Sequence, residues 1–128
     1  MKKTNVGKVL KKLKPRLFER NGKIAYAYDK AIIFNEGEIG VKGAKYQIVS
    51  FPRGASIEPH CHKRVREIFL IASGSGIVKI NKKSHMATAG DVFLIQPGDF
   101  HSLKNAGKAP FVLHIFKWNE NPKDVYWQ

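Results

Sequence analysis

Between Gly54 and Gly74 the chain reads GASIEPHCHKRVREIFLIASG and carries His60, His62 and Glu67 between two glycines. Further on, Gly90 to Asn105 reads GDVFLIQPGDFHSLKN and supplies His101. His60 and His62 are two apart in a run with strand character, so their side chains leave the same face, roughly 7 Å apart along the chain. Cys61, between them, points to the other face and is a poor ligand candidate. Glu67 opens the next apolar run after the charged turn Lys63 to Arg66, where an antiparallel partner sets it beside the histidines. His60, His62, Glu67 and His101 are thus the expected ligands of one divalent metal. Imidazole suits iron, nickel, copper and zinc, and the carboxylate brings manganese into range. Four protein ligands leave positions open on a six-coordinate ion, and open positions mark a reactive metal.

From Lys23 onward short alternating runs are broken by turns: Lys45 to Phe51, Ser56 to His62, Glu67 to Ala72, Ile77 to Ile80, Asp91 to Ile95, Phe100 to Lys104 and Pro110 to Trp118. Strands at this spacing, with no βαβ alternation, predict an all-β sandwich or barrel. Lys23 to Tyr28 and Ala31 to Phe34 are expected to form a hairpin about Asp29 and Lys30, and Glu36 to Gly43 a glycine-rich loop. Before them, Thr4 to Lys14 reads as a short basic amphipathic helix, capped by Thr4 and ended by Pro15. A helix this short is marginal alone and must dock on the body of the domain or on a second subunit. The expected organisation is a basic N-terminal segment (1–22), a β-barrel (23–118) and a C-terminal tail (119–128).

Charge is strongly one-sided, with 23 Lys and Arg against 10 Asp and Glu. Residues 1–30 alone hold ten basic and two acidic side chains. Such a field favours small anions and acidic partners, although a solvated lysine-rich face that keeps the protein soluble is the readier account. Nucleic acid is not the expected partner, because the N-terminal segment is too short for a helix-turn-helix. The lone Cys61 leaves no intrachain disulfide, which fits a reducing, cytoplasmic setting. No apolar run approaches the ~18 residues of a membrane-spanning helix, so no transmembrane segment is expected.

The two histidine-bearing stretches resemble the paired motifs of the cupin family. The first fits throughout: Gly54, five residues, His60, one, His62, four, Glu67, six, Gly74. The second fits at Gly90, Pro97, Gly98, His101 and Asn105, with Gln96 where the family usually has proline, a change that loosens the turn but removes no ligand. The resemblance implies an antiparallel double-stranded β-helix of the jelly-roll kind, commonly a homodimer, with the metal inside the barrel. Trp118, Tyr126 and Trp127 would suit a dimer seam. The motif does not choose a reaction. One reading is a metal-dependent enzyme, dioxygenase-like or isomerase-like, acting on a small oxygenated or anionic metabolite, with His101 and Glu67 as candidate catalytic groups. The other is a non-enzymatic module that holds a metabolite or sugar and meets a partner with its basic face. Candidate ligand-binding residues are Arg64 and Arg66 beside the metal, Tyr46 or Gln47 at the cavity mouth, and His114 if its face of the last strand points inward.

Overall fold

A computed structural model describes residues 1–128. Two antiparallel sheets face each other and enclose a core of Val49, Phe51, Phe69, Ile71, Phe111 and Leu113 with their neighbours. This is the expected all-β, double-stranded β-helix. The strands are β1 (Lys14–Arg20), β2 (Lys23–Phe34), β3 (Lys45–Phe51), β4 (Ser56–Cys61), β5 (Arg66–Ser73), β6 (Ser75–Ile80), β7 (Lys83–Thr88), β8 (Val92–Ile95), β9 (His101–Lys104), β10 (Phe111–Trp118) and β11 (Tyr126–Trp127). One sheet runs β1-β2-β3-β10-β5-β8 and the other β11-β4-β9-β6-β7.

The N-terminal third departs from expectation. The helix α1 spans only Val6–Leu10, and Asn5, not Thr4, caps it by accepting a hydrogen bond from the Gly7 N–H. Pro15 lies inside β1, opposite Asp29. β1 is the edge strand of its sheet, the place in a sheet where proline is tolerated. β2 is one continuous strand, so Asp29 and Lys30 form no turn; its hairpin partner is β1, joined through Asn21-Gly22 with both residues at positive φ. Glu36–Ile39 is one helical turn, α2, closed by a capping box between Asn35 and Glu38. α1 docks on the outer face of the six-stranded sheet, where Val9 packs with Ile33 and Ile48.

From β3 onward the expected strands form, with ends moved by one or two residues. Two turns fix the site. Gly74 has φ +74°, and a Cβ there would meet the Pro110 carbonyl oxygen at 2.2 Å, so no larger residue fits between β5 and β6. Gly98, at φ +88°, donates its N–H to the His62 carbonyl at 2.7 Å and ties the two histidine stretches together. At the position where proline is usual, Gln96 donates its N–H to Asp99 Oδ2 at 2.9 Å. Its side chain accepts from Arg66. The turn before His101 is therefore pinned rather than loosened.

Candidate metal centre

His60 on β4 and His101 on β9 are register partners, so one strand pairing brings the two motifs face to face. Their ring centroids are 4.3 Å apart, and His62, one residue beyond β4, lies 5.2 Å from His101. All three are buried, and their ligand nitrogens lie within 4.8 Å of one another. Each Nδ1 meets a main-chain carbonyl: His60 meets Glu58 at 2.8 Å, His101 meets Asp99 at 2.9 Å and His62 meets Asp124 at 2.6 Å. A carbonyl oxygen only accepts, so each Nδ1 carries the proton and each Nε2 presents a bare lone pair. Burial, with His101 and His62 close by, pushes the His60 imidazole down to about 3, so that ring is neutral at ordinary pH.

Glu67 enters from β5 in the opposite sheet. Its Oε2 is 3.1 Å from His101 Nε2 and 3.5 Å from His62 Nε2. Its Oε1 is 3.4 Å from the Lys117 ammonium, directly across the ladder on β10. Burial alone would raise the Glu67 carboxyl, but the Lys117 ammonium holds it well below the usual carboxylate range. Oε2 is buried and has no hydrogen-bond partner. A carboxylate oxygen and two imidazole lone pairs all accept, so a cation between them satisfies all three. The donor set therefore fits a divalent metal: three imidazoles close on one another and a carboxylate approaching two of them.

The cavity above these residues has a volume of about 170 Å³ and is bounded on the six-stranded side by Arg16, Tyr28, Lys30, Lys45, Gln47 and Lys117. Gln47 is 1% exposed, and its Oε1 has no partner. Of the ligand-binding residues expected from sequence, Gln47 alone lies here. Arg64 and Arg66 do not line this cavity; with Lys63 and Asp124 they line an adjoining outer cleft that shares Glu120 and Asn121 with it. Tyr46 and His114 lie on the outer face of the sheet, where the Tyr46 hydroxyl meets His114 Nδ1 at 2.6 Å. Alternation on β10 sends Leu113, Ile115 and Lys117 inward, so Val112, His114 and Phe116 face out. Arg16, Lys30, Lys45 and Lys117 were not anticipated; the available signal was their alternation with the core residues Phe18, Tyr28, Gln47 and Ile115 on the inner faces of their strands.

The C-terminal tail is also part of the site. β11 pairs with β4, opposing Trp127 to His60, and the two rings lie 5.2 Å apart. Trp127 packs on Phe18 as well, so within this chain it closes the barrel rather than offering a free seam. Besides its carbonyl bond to His62, Asp124 accepts N–H bonds from Lys63, Arg64 and Val65 through its carboxylate.

The cupin domain model matches residues 47–116, more than half of the chain, and the chain belongs to the cupin family. It is 33% identical over 66 residues to an oxalate-binding protein of Thermotoga maritima, covering 52% of this chain and 54% of that one. It is 32% identical over 92 residues to the oxalate oxidase GF-3.8 of Triticum aestivum, covering 66% of this chain and 41% of that one. The matches thus span about half or less of each curated relative. Among solved structures, a protein of Klebsiella pneumoniae with a double-stranded β-helix domain superposes with a TM-score of 0.72 at 16% identity, over 99% of this chain and 96% of that one. No helix is long and apolar enough to cross a membrane.

Proposed function

We propose that this cupin binds one divalent metal through His60, His62, Glu67 and His101 and receives a small, oxygenated, anionic metabolite in the cavity beside it. The observation that carries this reading is a cluster of three buried imidazoles, each with Nδ1 committed to a carbonyl, two of which, His62 and His101, face the unpartnered Glu67 Oε2. A bound divalent ion would supply Lewis acidity, or redox capacity if it is iron, manganese or copper, for dioxygenase-like or isomerase-like chemistry. His101 and Glu67 are the candidate catalytic groups, since they hold the shortest carboxylate–imidazole approach in the site. The basic wall favours anions by charge, and the oxalate chemistry named for two relatives supports the same class of ligand.

A second reading has one observation in its favour: the relative at 33% identity is named for binding oxalate, not for transforming it. In that reading the barrel is a non-enzymatic carrier or sensor. The two separate when metal-loaded protein is mixed with oxalate and a panel of small anionic metabolites, and binding and product are both followed. Turnover that needs the metal and disappears in His101→Ala supports the enzyme. Saturable binding without product supports the module. Absence of both metal uptake and anion binding would remove the proposal altogether. A cytoplasmic homodimer belongs to the same proposal. The exposed Val92, Leu94 and Trp118 offer apolar surface, and sedimentation equilibrium would show monomers if no dimer forms.

A further inference from the structure

Four basic side chains line the cavity, Arg16, Lys30, Lys45 and Lys117, with only two carboxylates, Glu67 and Glu120. Lys117 is taken by Glu67, and Lys45 pairs with Glu120 at 3.0 Å. Arg16 and Lys30 have no ion-pair partner. The Arg16 guanidinium lies 4.2 Å over the Phe18 ring and donates to the adjacent Leu17 carbonyl. The registers make this crowding unavoidable. Arg16 on β1 faces Tyr28 on β2, two residues from Lys30 on the same face, and Lys45 on β3 sits directly opposite Lys117 on β10.

Like charges directly opposed across a ladder weaken a sheet, and half-buried ammonium groups without a counter-charge lose solvation. Burial, then Lys45, Arg16 and Lys117, push the Lys30 ammonium down to about 8. Packing does not require cations at these positions, since neighbouring inward positions on the same strands are Phe18, Val49 and Ile115. The wall that faces the histidine strands is therefore short of negative charge at Arg16 and Lys30.

We propose that Arg16 and Lys30 form an anion subsite on the six-stranded wall, so that the ligand of this cavity carries an anionic group at each end, one toward the histidines and one toward this wall. The inference deepens the proposed function and rests on it for the metal end alone. A guanidinium and an ammonium group can take a carboxylate or a phosphoryl group, and the ligand class is a short dicarboxylate or a phosphorylated carboxylate.

Full-length protein loaded with Mn²⁺ is titrated calorimetrically with succinate, with phosphoglycolate and, as a single-charge control, with butyrate. One dianion at least binds tighter than butyrate by about tenfold or more. The double variant Arg16→Met/Lys30→Met brings it to the butyrate level while still taking up Mn²⁺, and Lys30→Arg, which keeps the charge, keeps the preference. The tighter dianion identifies the second group as carboxylate or phosphoryl. Equal affinity for all three probes, or a preference that survives the double variant, overturns the subsite. Should the protein take up no Mn²⁺, metal-free protein titrated with inorganic phosphate separates the two claims. An affinity that falls about tenfold in the double variant upholds the subsite without the metal, whereas an unchanged affinity overturns it.

Discussion

The two walls of the cavity are held by different means. On the five-stranded side each histidine is oriented by a hydrogen bond to the main chain, so its tautomer and direction are set before any ligand arrives. On the six-stranded side Arg16 and Lys30 reach the cavity on long side chains without an ion-pair partner. A preset ligand set suits an ion of fixed size, because little ordering remains to be done on binding. A wall with two cations left without a counter-charge suits an anion. The histidine wall contains the same contrast in miniature. His60 and His101 each bond the carbonyl two residues upstream, whereas His62 borrows the carbonyl of Asp124, 62 residues away.

The largest effect should come from the histidines. His60→Ala or His101→Ala should weaken metal binding by more than the ~10–100-fold that loss of an outer partner costs, as read by elemental content after dialysis. Phosphate binding at the basic wall should survive either change. If both properties vanished together in protein that still folds, the two walls would not be separable. Lys117→Met comes next, because it strips the buried Glu67 of its only ammonium neighbour within ion-pair distance. In metal-free protein it should cost about 3–5 kcal/mol in urea unfolding, and added metal should recover part of that. A cost near zero would mean that Glu67 is not charged in the folded protein.

Asp124→Ala tests the borrowed contact. It removes the carboxylate that fixes the turn 63–65 but leaves the carbonyl that orients His62. A loss of about 1–3 kcal/mol of stability is expected, with metal affinity lowered through the loosened tail. The milder Asp124→Asn should keep one acceptor and lose less. Unchanged metal affinity in Asp124→Ala would show that the main-chain carbonyl orients His62 without help from the carboxylate.

The smallest effect is a pH dependence at the basic wall. Burial, with Lys45, Arg16 and Lys117 facing it and Glu120 opposing them, lowers Lys30 to about 8 from an ordinary 10.5. The unfolded chain then holds more protons than the folded one between those values, so stability should rise as pH goes from about 8 to 10.5. Below about 8 both states are charged, and the penalty is fully present. Dianion affinity should fall over the same rise in pH, and Lys30→Met should flatten both trends. A stability curve that is flat in this window for the parent protein would count against a crowded Lys30.

The same difference between the walls explains what could be read from sequence. His60, His62, Glu67 and His101 sit in two short stretches, and pairing of β4 with β9 joins the histidines. Glu67 reaches them across the barrel from β5 in the other sheet and not, as its place after the turn suggests, from a strand paired with β4. Arg16, Lys30, Lys45 and Lys117 come from four separate strands, and their meeting depends on register and on which face turns inward. One face choice decides both Lys117 and His114: inward Ile115 makes Lys117 a cavity residue and leaves His114 against Tyr46 outside. Pro15 misled in the same way, since its avoidance of helix is as well served by an edge strand as by a helix end. The tail was legible only as Val125-Tyr126-Trp127, too short a run to predict a strand that leans on His60.

The central claim is a metal held by the two histidine stretches. It is tested most directly by the metal content of untagged protein, offered iron, manganese, nickel, copper and zinc separately and then dialysed, beside a His60→Ala/His101→Ala control. One equivalent per chain of at least one ion, absent from the control, is the expected result. No retained ion in folded parent protein, or an equal amount in the control, would contradict it.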